Sequence, residues 1–236
     1  MKRIKGLALF LVVLCLLSAC KQQNDHTVHY ENGYEYREEW IGVRILSHEY
    51  DPSETHVIVP ETLGGKPVVT LGDAAFSDHT GLVSLTLPEN LQILEGDPFT
   101  GCVSLQECTI PKNVKGIPCN IFYECTALKS IRLDPENEYF TVADGVLFDK
   151  EMTRLICYPY CKTDESYALP KSVKWLRFDA FGERPRFKRL TVYSGLQYFD
   201  EHMFDAWEDF TLVVEQGSEA EARLQACDIN YKLIED

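Results

Sequence analysis

The chain has few cations for its number of acids: 23 Lys and Arg stand against 37 Asp and Glu, which gives a net charge of −14. Nucleic acid and anionic lipid headgroups are bound by clustered Lys and Arg, so this shortage argues against either as the main partner. The composition also argues against a disordered chain, because 45% of the residues are hydrophobic. The composition therefore predicts a folded acidic protein with no nucleic-acid partner.

Motifs for catalysis and metal binding are also missing. The sequence has no Gly-x-Ser-x-Gly elbow, no glycine loop that could hold phosphate and no zinc-binding helix motif. His26 and His29 have a possible metal spacing, but they lie in the polar stretch 21–29, which favours a flexible tether. We therefore expect no catalytic residue, no metal and no cofactor, and we predict that the protein is not an enzyme.

The start of the chain has no apolar run long enough to span a membrane. Lys2, Arg3 and Lys5 precede eleven apolar residues, 7–17, whereas a spanning helix needs about 20. This pattern predicts an export signal that is removed. The next residues, Leu-Ser-Ala-Cys at 17–20, resemble the lipobox of bacterial lipoproteins. The resemblance implies lipid on Cys20 and an extracytoplasmic protein anchored to the cell membrane or outer membrane; the alternative is a plain secretory signal.

The positions of the nine cysteines argue against a disulfide scaffold. One leaves with the signal and Cys20 would carry lipid, so an odd number, seven, remains. Cys102 and Cys125 are 23 residues apart, which predicts thiols stacked in a core. Cys157 and Cys161 could bridge or bind metal, but no second Cys or His pair stands near them at zinc spacing. Most of the seven are therefore predicted to be unpaired.

An internal repeat is the main feature of the chain. Aligned against itself, the sequence keeps a 23-residue register at five apolar columns. The columns are Phe76, Phe99 and Phe122; Leu71, Leu94 and Ile117; Leu82, Leu105 and Leu128; Leu85, Cys108 and Ile131; and Leu87, Ile110 and Leu133. After a break the same offsets return at Leu176, Phe181, Phe187, Leu190 and Val192, and again at Phe199, Phe204 and Phe210. Five units are predicted.

Each unit contains a strand and a turn. Residues 82–88 alternate apolar and polar near their end, which is typical of a strand with one buried face. The segments 73–78 and 120–125 favour a short helical turn that carries its Phe inward. One unit cannot bury its own apolar face, whereas stacked units pair their strands in parallel and build a continuous core.

The pattern Leu-x-x-Leu-x-Leu-Pro, with Leu or Ile six residues later and then Ala-Phe or a variant, resembles the BspA-type (Treponema-type) leucine-rich repeat. The resemblance implies an α/β leucine-rich-repeat solenoid with a parallel strand ladder and short helical turns. Asp97-Pro98-Phe99 and Asn120-Ile121-Phe122 depart from the usual Ala before Phe. The region 139–159 is similar to the hairpin-bearing insertion that often interrupts such arrays.

Both ends differ from the repeats, as the ends of a stack must. Two strand patterns, 34–47 and 55–59, predict an N-terminal β cap. Ser218 and Glu221 resemble a capping box at the start of a short helix, and 229–233 alternates as a last strand, so a helix-strand cap is predicted there. The predicted segments are 1–19 signal peptide, 20–33 lipidated tether, 34–59 β cap, 60–133 repeats, 134–169 insertion, 170–215 repeats and 216–236 C-terminal cap.

The predicted function follows from the outward positions of the strands. These can vary without disturbing the core, and proteins with this repeat are implied to act in surface adhesion. We expect a protein or glycan ligand on a strand face made by Ser84, Thr86, Glu107, Thr109, Ser130, Arg132, Arg189 and Thr191. Two alternatives stay open: a secreted hydrolase built on the Cys157 to Cys161 insertion, and a purely structural envelope lipoprotein. Oligomeric state is not predicted.

Overall fold

A computed structural model describes residues 27–182, 185–204, 207 and 209–234. The predicted export signal, Cys20 and His26 lie outside these residues. The strands are β1 Val28–Glu31, β2 Tyr34–Glu39, β3 Gly42–His48, β4 His56–Ile58, β5 Thr62–Leu63, β6 Lys66–Leu71, β7 Ser84–Thr86, β8 Ile93–Leu94, β9 Glu107–Ile110, β10 Ser130–Leu133, β11 Phe140–Ala143, β12 Val146–Asp149, β13 Arg154–Cys157, β14 Ser166–Ala168, β15 Trp175–Leu176, β16 Arg189–Val192, β17 Tyr198–Phe199, β18 Thr211–Val214 and β19 Lys232–Leu233. The helices are two 3-10 turns, Phe178–Phe181 and Glu201–Phe204, and helix α1, Glu219–Ala226.

Parallel pairing between successive units produces two ladders, which confirms the predicted α/β solenoid with a parallel strand ladder. The first ladder runs β4, β7, β9, β10, with Ser84, Glu107 and Ser130 in one register. The second runs β3, β6, β8 and continues through a bridge between Ile93 and Gly116. Each unit therefore contributes one short strand to each ladder, and the core lies between them.

The inward columns have the predicted register. Phe76, Phe99 and Phe122 are buried, with ring centroids 6.1 Å and 5.5 Å apart in succession. The thiols of Cys102 and Cys125 donate to the carbonyl oxygens of Phe76 and Phe99, each at 3.1 Å. A cysteine suits this column because it is small and apolar and its weak donor reaches the unit before it.

The N-terminal cap is an antiparallel sheet of β1, β2 and β3, and β3 then pairs in parallel with β6. Strand β1 lies within the segment 20–33, so the prediction that this whole segment is a flexible tether is wrong. Asn32 and Gly33 have φ of +51° and +81° and join β1 to β2. Asn-Gly is a strong hairpin signal, because both residues tolerate the left-handed backbone that a tight turn requires.

The repeat register breaks between β10 and β14. Strands β11 and β12 form an antiparallel hairpin, and β12 also pairs antiparallel with β13. The hairpin turn lies against the first ladder, where Ile131 N donates to Gly145 O at 3.4 Å. Strand β13 then pairs in parallel with β15, so it restores the second ladder.

Tyr158 takes the place of the missing Phe after β13. Its backbone N donates to Ala180 O at 2.8 Å, as the N of Phe76 donates to Pro98 O at 2.8 Å in a regular unit. Its ring centroid lies 5.6 Å from that of Phe181. The aromatic column therefore continues through the interrupted unit.

Beyond the hairpin, the first kind of ladder resumes as β14, β16, β18, β19 and the second as β13, β15, β17. At 73–78 and 121–124, where the sequence predicts helical turns, the chain forms hydrogen-bonded turns rather than helices, and the two 3-10 turns lie in later units, at Phe178–Phe181 and Glu201–Phe204. At the C-terminus, Ser218 Oγ accepts from Glu221 N at 3.0 Å and caps α1, and β19 pairs with β18. Within the part of the chain that the structure describes, no helix is long and apolar enough to cross a membrane.

Candidate functional site

The predicted strand-face residues all lie on the outer side of the ladders, and none of them is buried. Six of the eight belong to three neighbouring strands, β7, β9 and β10. They alternate with the buried residues Leu85, Cys108 and Ile131, so the polar side chains point outward where the apolar ones point inward. We call the outward side of β4, β7, β9 and β10 the strand face.

Two rows of side chains cross the strand face. In one row Ser84 is in register with Glu107, and Glu107 with Ser130. In the other, Thr109 is in register with Arg132. Arg132 Nη2 and Glu107 Oε2 form an ion pair at 2.7 Å, with both side chains about half exposed. An ion pair this exposed adds little stability, so both charges remain available to a partner.

Strand β4 extends both rows with residues that the sequence analysis did not include. His56 is in register with Ser84, and its Nδ1 lies 2.6 Å from Ser84 Oγ. Ile58 is in register with Thr86, and 76% of its surface is exposed. The strand pattern at 55–59 was the sequence signal that could have placed His56 and Ile58 on this side of the sheet. The spacing from β4 to β7 is 28 rather than 23 residues, so repeat alignment did not find them.

Arg189 and Thr191 do not join the other six. They lie on β16, whose neighbours in the sheet are β14 and β18. The hairpin turn occupies the position beside β10 that a regular unit would fill, and it separates the two sheets. The prediction of one face made by all eight residues is therefore wrong in this respect.

The first cysteine of the Cys157 to Cys161 segment is buried and does not line an open site. Cys157 is 1% exposed, and burial, with a smaller contribution from Asp179, raises the pKa of its thiol. A protonated thiol is a poor nucleophile. Cys161 N donates to Leu128 O at 2.8 Å. No group of three or more His, Cys, Asp or Glu side chains in the described residues could hold a metal ion.

Beside the aromatic column, the buried His79 lies against His48, a partly buried residue whose side chain is 6% exposed. His48 Nδ1 lies 3.1 Å from His79 Nε2, and the His48 ring stacks 5.2 Å from that of Phe76. Burial is the main cause that lowers the pKa of both imidazoles, and repulsion between them lowers that of His48 further. The carboxylate of Glu54, 3.8 Å from His48 Nε2, opposes this effect.

Comparison with known proteins identifies the repeat. Residues 54–149 match the family model of the BspA type leucine rich repeat region, in six copies. A search among curated proteins finds no match.

Two solved structures share the fold. A leucine-rich repeat protein from Eubacterium ventriosum has a TM-score of 0.57 at 18% identity, over 80% of this chain. The T. pallidum leucine rich repeat protein has a TM-score of 0.50 at 16% identity, over 88% of this chain and 98% of its own. The chain spans 65% of the length of the E. ventriosum protein.

Proposed function

Because residues 54–149 form a BspA-type leucine-rich repeat region, we propose that the protein acts by binding a macromolecular partner on its strand face. Repeat proteins of this kind use extended surfaces whose outward residues vary independently of the core. The partner is a protein or a glycan. A protein is favoured because the strand face is a broad ladder of short polar side chains, whereas small ligands are usually held in concave sites.

The arrangement of the strand face is the observation that carries this proposal. Six outward side chains lie on three neighbouring strands, five of them in register, and the exposed Ile58 adds an apolar contact at one edge. Protein interfaces combine apolar contacts with polar ones. The Glu107–Arg132 ion pair offers both signs of charge to a partner.

The proposed location is the outside of a membrane. The cationic start, the short apolar run and the Leu-Ser-Ala-Cys sequence support an exported protein held by lipid on Cys20. A lipid anchor leaves the solenoid free to meet partners beyond the membrane. Surface adhesion is the role that this placement favours.

Two rival functions make different demands. A hydrolase built on the Cys157 to Cys161 segment needs an ionised thiol, and the raised pKa of Cys157 does not favour one. A purely structural envelope lipoprotein would need no soluble partner. Our proposal differs from the hydrolase because it predicts binding without a reaction. It differs from the structural lipoprotein because it predicts a partner.

The test compares binding of the lipid-free protein to host matrix proteins and to an envelope extract. Changing both Thr109 and Arg132 to Glu should remove the binding, because it places negative charge at the centre of the strand face. Thr62→Glu with Lys171→Glu is the matched control, since these residues are exposed and lie off the strand face. If the Thr109 and Arg132 variant binds normally while Cys161→Ser abolishes binding, the site is the insertion and the proposal is wrong.

A further inference from the structure

The outward side of the second ladder carries large aromatic side chains. Arg154, Trp175 and Tyr198 share one register on β13, β15 and β17. The residues that follow them are buried and complete the core: Leu155, Leu176 and Phe199. Trp175 and Tyr198 are nevertheless 50% and 42% exposed. Exposed aromatic groups in a cluster mark a binding surface, because the fold gains little from them.

These residues line an open cleft. Arg154, Trp175, Arg177, Phe178, Tyr198 and Asp200 surround a volume of about 340 Å³. The Trp175 and Tyr198 ring centroids are 5.7 Å apart, and Phe178 is 52% exposed at the start of its 3-10 turn. The volume lies at the lower end of the range for small-ligand sites, about 300–1,000 Å³.

The charge of the cleft is unlike that of the molecule. Arg154 donates to the neutral carbonyl oxygens of Ile117 at 3.1 Å and Pro118 at 3.4 Å. Within the described part of the chain it forms no ion pair with a carboxylate. Arg177 is paired with Asp179 at 3.1 Å. With Asp200 in the lining, these four charges sum to zero in a protein whose net charge is −14, and Arg154 is the arginine of the cleft that has no carboxylate partner.

We propose that this cleft binds a carboxylated oligosaccharide, such as a short chain of hexuronate sugars. The C–H face of a pyranose ring is flat and apolar, so it packs against the exposed aromatic surface of Trp175 and Phe178. Its carboxylate pairs with Arg154, whose planar guanidinium suits bidentate binding. Asp200 accepts hydrogen bonds from ring hydroxyls.

A sugar fits this cleft better than a second protein does. A stable protein interface buries about 800 Å² on each partner, whereas the exposed aromatic groups surround one small cleft. Flanking groups of both signs match the hydroxyls and the carboxylate of an acidic sugar. The cleft lies on the other ladder from the strand face, so the inference does not depend on the proposed function.

Titration of the purified protein with trigalacturonate tests the inference, with α-1,4-linked galactotriose as the matched neutral sugar. Trigalacturonate should bind with a dissociation constant of about 1 mM or tighter. Added salt should weaken it, and the neutral galactotriose should bind less well. Trp175→Ala should weaken binding at least tenfold, and Arg154→Gln should also weaken it. Trp40→Ala, at a residue that is 83% exposed in the β2–β3 turn, should leave binding unchanged.

Three results would overturn the inference: no binding of trigalacturonate, equal binding by the Trp175→Ala variant, or self-association that this variant abolishes. The last would make the cleft a contact between copies of the chain. Thermal melting of each variant checks folding, and Trp175→Ala keeps the test valid if Arg154→Gln unfolds. The Thr109 and Arg132 double variant should bind trigalacturonate normally, which separates failure of this inference from failure of the proposed function.

Discussion

The rings of Phe99 and Phe122, 23 residues apart in the sequence, stack with their centroids 5.5 Å apart and their planes within 16° of parallel. Both are buried, at 0% and 3% exposure. This contact shows that the repeat spacing corresponds to one turn of the solenoid. It also makes the two neighbouring units depend on each other for their stability.

Phe122→Ala should therefore lower the free energy of unfolding by about 3–5 kcal/mol, because the stacked units cannot close the cavity. Denaturant unfolding measures the loss. Phe178→Ala is the matched control at an exposed Phe and should cost much less. A loss below about 0.5 kcal/mol at Phe122 would contradict the stacked aromatic column.

Thiol counting should find seven cysteines outside disulfides in the unfolded protein once the predicted signal is removed and Cys20 is acylated, as in the described structure. In the folded protein Cys102, Cys108, Cys125 and Cys157 should label slowly, since all four are buried. Burial also raises the pKa of Cys108 to about 12, which suppresses its reactive thiolate. Three disulfides in the unfolded count would refute this account of the core.

The repeated part of the fold is predictable because spacing reports stacking directly. A column such as Leu82, Leu105 and Leu128 needs only one offset to be recognised, and all three are buried. The outward orientation of Thr109 and Arg132 is predictable in the same way, because side chains alternate along a strand and the neighbours of these residues pack in the core. The capping of α1 by Ser218 is local, so short-range sequence is sufficient for it.

The interrupted unit is not predictable in this way, because its contacts are not periodic. Tyr158 lies 36 residues after Phe122, so the register of the preceding units does not reach it, and the 23-residue spacing returns only between Tyr158 and Phe181, whose rings are in contact. The division of the first ladder depends on where the turn at Gly145 packs, which is a tertiary contact. By contrast, the outward position of Trp175 and Tyr198 could have been inferred from the sequence, because Leu176 and Phe199, which follow them, point inward.

Stability should fall as the pH decreases through about 6.5, the ordinary pKa of an imidazole. The pKa values of His48 and His79 are lowered in the folded state, so the unfolded chain binds more protons there. The stabilisation is present above that pH and is lost towards the lowered pKa values.

Denaturant unfolding at pH 7 and pH 5 measures this dependence. His79→Gln should reduce the loss of stability on acidification, because it removes one member of the buried pair. His56→Gln, at an exposed imidazole, is the matched control. The buried pair is not the cause if the His79→Gln variant loses as much stability as the wild type.

Cys20→Ser should release the protein from membranes, because the thiol is the proposed site of acylation. Fractionation followed by a high-salt wash distinguishes lipid anchoring from charge-dependent adsorption. Cys227→Ser is the control, since this cysteine lies in the C-terminal cap. Continued sedimentation of the Cys20→Ser protein with washed membranes would show that lipid on Cys20 is not the anchor.

Hydroxyl-radical footprinting of the complex with a bound partner tests the central claim, that the strand face is the binding surface. Ile58 is the probe on the strand face because 76% of it is exposed, and Tyr160 is the probe in the segment between Cys157 and Cys161. Our account predicts that the partner protects Ile58 from oxidation and leaves Tyr160 unchanged. Protection of Tyr160 with no change at Ile58 would contradict it.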